Sequence, residues 1–177
     1  GLAYQDVRIR AVNETNVSGW MTKDDKPEPI LEGILVDTPN DVVDPNDGLT
    51  SLREAVARAE QTGELVLFDP YVFTSSEVYC NVDSTITVTQ EVEIVASNLG
   101  HYVTISGHQS GYTPGMIYPI FTVSGSSADL TVDGILMRDV NDSLFKVSNG
   151  ATLNLQNSYF TENGRDHAHE GGVVRAV

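Results

Sequence analysis

From residue 64 onward, apolar residues recur in short alternating runs separated by Gly, Asn, Asp and Ser. The runs are Glu64–Phe68, Ile86–Val88, Val92–Ile94 and Val103–Ile105, then Phe121–Val123, Leu130–Val132 and Ile135–Met137. Alternation with a period of two is the mark of strands with one buried face. Two runs lie before these: residues 4–12, with Val7, Ile9 and Ala11 opposite Arg8 and Arg10, and residues 30–36. One stretch follows a different period. In residues 51–62, Leu52, Ala55, Val56 and Ala59 fall at i, i+3, i+4 and i+7, which predicts an amphipathic helix of about three turns. Ser51 and Glu54 have the spacing of a capping box, and Gly63 stands where a left-handed C-terminal residue belongs. A helix this short, with one apolar face, needs a partner surface.

The runs also repeat. Phe121-Thr122-Val123-Ser124 returns as Phe145-Lys146-Val147-Ser148, and Ala128–Val132 returns as Ala151–Leu155. Ile135-Leu136-Met137 then aligns with Ser158-Tyr159-Phe160, and a further copy begins at Gly172-Val173-Val174. Residues 86–88, 92–94 and 103–105 fit the same three-strand plan. A period of about 20–25 residues with three short strands in each unit predicts a solenoid. Asn149, Asn157, Asn163, Gly134 and Gly150 fall between runs, where corners demand unusual dihedrals. The competing architecture is an antiparallel sandwich, which also consists of many short strands. In-register self-similarity favours an all-β right-handed parallel β-helix, with the helix at 51–62 as an N-terminal cap. Residues 1–33 are expected to be a strand-and-loop extension. Residues 34–177 are expected to be the capped first part of the stack, continuing beyond Val177.

Composition narrows the partners. The 177 residues carry 10 Lys+Arg against 25 Asp+Glu, a net charge of −15. Such a balance argues against nucleic acid, whose phosphates require cations. It suits a solvated, outward-facing protein or one that meets calcium. The single cysteine, Cys80, allows no internal disulfide and no cysteine metal site. No run of apolar residues is long enough for a transmembrane helix, and the first residues lack the pattern of a signal peptide.

Several residues are candidates for chemistry. Asp37, Asp41, Asp44 and Asp47 crowd the turn-rich stretch 37–48, and Asp44 and Asp47 are candidate calcium ligands, although the EF-hand glutamate is missing. His167 and His169, in Arg165-Asp166-His167-Ala168-His169-Glu170, form a His-x-His pair that would place two imidazoles on one side of a strand. Asp139 and Glu162 stand one repeat apart, with Arg138 and Arg165 near them in sequence. Stacked carboxylates of that kind are candidates for polysaccharide chemistry. The aromatic residues Tyr71, Phe73, Tyr79, Tyr112 and Tyr118, with Pro119, are candidate stacking surfaces for sugars. No nucleophile elbow, phosphate loop or dinucleotide fingerprint is present.

The segment Val42-Val43-Asp44-Pro45-Asn46-Asp47-Gly48-Leu49-Thr50-Ser51-Leu52-Arg53-Glu54-Ala55-Val56 resembles the CSLREA-type segment. That segment opens right-handed parallel β-helix regions of bacterial surface proteins, the polymorphic outer-membrane-protein-like and autotransporter-like adhesins. Residues 150–172 are similar to their repeats, and the likeness spans roughly residues 34–177. Thr50 stands where the family has its cysteine, so no redox role transfers. The resemblance implies a large, secreted or surface-anchored, mostly non-enzymatic protein and names no ligand; from the residues themselves, glycans or cell-surface molecules are the candidate partners and calcium the one candidate cofactor. Polysaccharide lyases and glycoside hydrolases of β-helix fold supply the alternative.

Overall fold

The structure is a computed structural model, and it describes residues 31–107, 118–140, 143–161 and 172–177. Residues 32–177 form one compact unit, separate from residues 1–31. The unit contains thirteen short strands, one α-helix and one 3₁₀ turn among its described residues.

The chain enters β1 (Gly33–Val36), crosses an acidic loop and forms α1 (Leu52–Thr62). It then runs through β2 (Leu65–Phe68), β3 (Tyr79–Asn81) and β4 (Ile86–Val88). Next come β5 (Glu91–Val95), a 3₁₀ turn at Ser97–Leu99, β6 (Val103–Ser106) and β7 (Phe121–Ser124). The remaining strands are β8 (Asp129–Asp133), β9 (Ile135–Arg138), β10 (Phe145–Ser148), β11 (Thr152–Gln156), β12 (Tyr159–Phe160) and β13 (Val174–Ala176). They build three sheets, in the orders β1-β2-β5-β8-β11, β3-β6-β9-β12 and β4-β7-β10-β13. From β2 onward the chain visits the three sheets in fixed rotation, and each return adds a strand beside the previous one. Every pairing in these sheets is parallel, which rules out the antiparallel sandwich for this region.

The registers match the repeat read from the sequence. Phe121 pairs with Phe145, Leu130 with Leu153, and Leu136 with Tyr159. The earlier unit joins them through Ile86 to Phe121, Val92 to Leu130 and Val103 to Ile135. Like residues therefore stack in rows perpendicular to the strands. One row runs Ile34, Val66, Ile94, Val132, Leu155 through all five strands of the first sheet. Another runs Cys80, Ile105, Met137, Phe160 through the second. In the third, the rings of Phe121 and Phe145 stack at 5.8 Å with planes 12° apart, and Phe160 meets Phe145 edge-on at 6.1 Å. These rows form a single buried core, since strand neighbours about 4.8 Å apart bring each side chain onto the next.

Two differences from the sequence reading have local causes. The strand β3 was not foreseen. It has three residues, only Cys80 of them is buried, and no alternation marks it; pairing to β6 alone makes it a strand. The last copy forms its strand at Val174–Ala176, with Val174 opposite Phe145. The corner residues Asn149, Asn157, Gly134 and Gly150 do have positive φ. Gly134 is also constrained by contact, because a Cβ there would collide with the backbone of Ser97. The expected strand at 4–12 and corner at Asn163 lie outside the described residues.

Helix α1 follows its sequence signals closely. Ser51 is the N-cap, its hydroxyl accepting from the Glu54 amide, and Gly63 ends the helix at φ 71°. Leu52, Ala55, Val56 and Ala59 are buried, and the helix packs on β1, β2, β4 and β5.

Candidate functional site

The acidic stretch before α1 is held by specific bonds at each carboxylate. Asp37 Oδ1 accepts from the Thr50 amide at 2.6 Å, closing the loop at its base. Asp44 and Asp47 make Asx turns, accepting from the amides of Asn46 at 3.0 Å and Leu49 at 2.8 Å. Asp41 is the buried one. Its two oxygens receive Arg53 Nε at 2.9 Å and Nη2 at 2.6 Å, and Oδ2 also accepts from the Asp83 amide at 2.8 Å. Arg53 also donates from Nη1 and Nη2 to the Thr85 and Ser84 carbonyls. One guanidinium thus ties the helix, the loop and the corner before β4 together. Glu54 completes the network, accepting from the amides of Ser51 and Asp44 at 2.9 Å each. The segment Ser51-Leu52-Arg53-Glu54 therefore divides its labour: cap, core anchor, ionic clamp and loop clasp.

Asp44 and Asp47, the candidate calcium ligands, each satisfy an amide two residues on. No group of three or more His, Cys, Asp or Glu is placed to hold a metal among the described residues. His167, His169 and Glu162 lie outside the described residues.

Asp139 sits at the end of β9 with φ 65°. Its Oδ2 accepts from Arg138 Nε at 2.9 Å and from Ser106 Oγ at 3.0 Å. The Arg138 guanidinium lies over the Tyr79 ring, 5.6 Å from its centroid. Arg138 and Ser106 are register partners on neighbouring strands, and Asn81 continues the row. The second sheet therefore ends in a polar row, Asn81–Ser106–Arg138, with Asp139 folded back onto it. Arginine and serine both donate to that carboxylate, and the bond from the charged guanidinium is the stronger kind.

The aromatic candidates separate by position. Phe73 is fully buried against Phe68, with ring centroids 5.1 Å apart, so it serves the core. Tyr79 is half-buried beneath Arg138. Tyr71 and Tyr118 are exposed; Tyr112 lies outside the described residues. Two tyrosines that the sequence reading passed over, Tyr102 and Tyr159, are also exposed, and Tyr102 borders a feature that it did not foresee. An open cleft of about 410 Å³ is lined by Ser97, Gly100, His101, Tyr102, Gly134 and Asn157. It exists because the chain needs one residue between β8 and β9 but seven between β5 and β6, and the extra residues rise as the 3₁₀ turn.

The cleft's side chains are fixed. Asp133 accepts from Asn157 Nδ2 at 2.7 Å and from Ser97 Oγ in a short hydrogen bond. The two ring nitrogens of His101 lie 3.1 Å from the Leu99 carbonyl and 3.0 Å from the Phe73 carbonyl. The signal that could have revealed this cleft is the longer spacing between Ile94 and Val103 than between Val132 and Ile135.

Cys80 is fully buried in the second-sheet row. Desolvation, helped by the charge of Asp41, pushes its thiol up to about 12, so it is a core residue and not a nucleophile. No helix among the described residues is long and apolar enough to cross a membrane. Comparison with family models, curated proteins and solved structures finds no match to this chain.

Proposed function

We propose that residues 32–177 are part of a right-handed parallel β-helix, closed at one end by α1, which serves as a non-enzymatic structural and adhesive module of a secreted or cell-surface bacterial protein. The observation that carries the reading is the fixed rotation of the chain through three parallel sheets with like residues in register. Parallel crossovers are right-handed in about 98% of cases, which supplies the hand. The apolar face of α1 covers the strands where the stack begins, a place that otherwise exposes a sheet edge and an open core. The segment at 42–56 that resembles the CSLREA type stands in that position, and this supports the surface assignment. So does the net charge of −15, which keeps an elongated display scaffold solvated.

In this reading the chemistry is that of a rigid support. Asp37 and Asp41 fasten the helix and its base, and Asp139 is held by Arg138 and Ser106 at a corner. Antibodies against residues 32–177 should label intact cells of the source organism, and labelling only after lysis would contradict a surface role. The protein should release no sugar from pectin, alginate, xylan or neutral glucans. Release of unsaturated or reducing ends would replace this reading with that of a β-helix polysaccharide lyase or glycoside hydrolase.

A further inference from the structure

We propose that the cleft between the 3₁₀ turn and the end of β8 is a binding subsite for a neutral pyranose unit of a glycan. The inference deepens the adhesive reading above and rests on it for biological context, but its chemistry stands on the cleft itself.

Three features define the ligand class. The first is shape. The cleft is open, about 410 Å³ in volume, and bounded by the raised turn at Ser97–Leu99 and by Tyr102. Gly134 lines it, and there the backbone of Ser97 packs so close that no side chain fits. A flat, shallow site of this kind suits a ring lying on a wall.

The second feature is polarity. The cleft is lined by a hydroxyl, Ser97, and a carboxamide, Asn157, both oriented by the Asp133 carboxylate that accepts from them. Asn157 retains its amide oxygen and a second N–H, and the Ser97 oxygen retains acceptor capacity. Adjacent donors and acceptors in fixed positions match vicinal hydroxyls, which both donate and accept. Little ordering is then left for the moment of binding.

The third feature is the aromatic wall. Tyr102 is 43% exposed although its neighbour Val103 is buried, so a polarisable face with a polar tip borders the cleft. Tyr159, 55% exposed, follows on β12, two strands further along the second sheet. Two strand spacings are about 10 Å, so a chain of two or more sugars lying across the strands reaches from one tyrosine towards the other.

Charge selects a neutral sugar. Among the described residues no Lys or Arg lines the cleft, Asp133 accepts from two of the lining side chains, and the whole chain carries −15. Both ring nitrogens of His101 face backbone carbonyls, so the imidazole is turned away from a ligand's anion. A uronate would meet repulsion with no counter-charge.

The test uses the ¹⁵N-labelled 177-residue protein and amide spectra recorded against cello-, xylo-, manno- and malto-oligosaccharides, with oligogalacturonate as the charged probe. The expected result is saturable shifts of the Gly100, His101, Tyr102, Gly134 and Asn157 amides with at least one neutral oligosaccharide. Tyr102→Ala should weaken that binding by about tenfold, whereas Tyr102→Phe, which keeps the ring, should stay within about threefold. Asn157→Gly keeps the positive-φ corner while deleting the carboxamide, and should also weaken binding by about tenfold. Unchanged spectra elsewhere would show that each variant remains folded. Absence of shifts at these amides with every neutral probe overturns the proposal. So do shifts caused by oligogalacturonate alone, or unchanged binding in Tyr102→Ala. None of those results touches the scaffold reading, which is tested by cell labelling and by strand register.

Discussion

The row Ile34, Val66, Ile94, Val132, Leu155 can be followed from one side of the first sheet to the other. Ile34 is 3% exposed and the next three residues are fully buried, yet Leu155 is only half-buried. Its neighbour Leu153 is also half-buried, although it pairs with the fully buried Leu130. The side chains are of the same kind, and so is the backbone pairing. What differs is the neighbour. Beside β1 and β2 lies α1, which also packs on β4 and β5 with Leu52, Ala55, Val56 and Ala59 buried. Beyond β11 no strand of the first sheet follows among the described residues. An apolar row is sealed only where something covers its last member, and burial sets how much each residue contributes.

The most severe way to break the comparison is to spoil the sealed side. Leu52→Asp forces a charge into the buried face of α1, which should cost about 4 kcal/mol or more. The variant should aggregate or elute as expanded protein in size-exclusion chromatography. A monomeric protein of unchanged denaturation midpoint would show that the helix does not seal this side.

The ionic clamp comes next. Arg53→Ala leaves the Asp41 carboxylate, whose side chain is 4% exposed, without its counter-charge. The expected loss is about 3 kcal/mol in urea denaturation. Arg53→Lys should recover only part of it, because an ammonium cannot hold both carboxylate oxygens and two carbonyls. Full recovery by lysine would reduce the clamp to a simple charge pair.

Comparing the two sides directly, Leu130→Ala should cost about 3 kcal/mol and Leu153→Ala about 1 kcal/mol. Equal losses would mean that the two positions share one environment, and the contrast would fail.

The smallest effect is on Cys80. Its thiol stays protonated in the folded protein up to about 12, against an ordinary value of 9.0. As pH rises from 9.0 towards 12 the unfolded thiol ionises first, so the unfolded state gains and stability falls across that window. Below it the contribution is fully present. At pH 8 a thiol reagent should therefore label the native protein far more slowly than the urea-unfolded chain; equal rates would place Cys80 at the surface.

Much of this contrast is written in the sequence. The spacing of Leu52, Ala55, Val56 and Ala59, with Ser51, Glu54 and Gly63 at the ends, fixes α1 because helix signals are local. The repeat from Phe121 to Phe160 gives the register, because stacking like on like leaves self-similarity in the chain. The strand β3 was not legible: three residues with one buried side chain carry no period, and only β6 makes them a strand. The tie between Arg53 and Asp41 was equally hidden, since it joins residues through the corner at Asp83–Thr85. The cleft was missed for a different reason. Ser97, Tyr102, Gly134 and Asn157 come from three successive passes of the chain, and only strand pairing brings them together. The aromatic residues chosen from sequence included the buried Phe73 and omitted Tyr102, because ring content alone does not say which side of a sheet a ring occupies.

The claim on which the rest depends is the parallel, in-register stack, and engineered disulfides test it most directly. Thr87 pairs with Thr122 and Thr122 with Lys146 on the third sheet. Neighbouring strands lie about 4.8 Å apart, within the range that a disulfide spans, whereas Thr87 and Lys146 are two spacings apart. With Cys80 left buried in place, Thr87→Cys/Thr122→Cys and Thr122→Cys/Lys146→Cys should cross-link on mild oxidation, as read by peptide mapping. Thr87→Cys/Lys146→Cys should not. Cross-linking of that last pair with failure of the two adjacent pairs would contradict the stack.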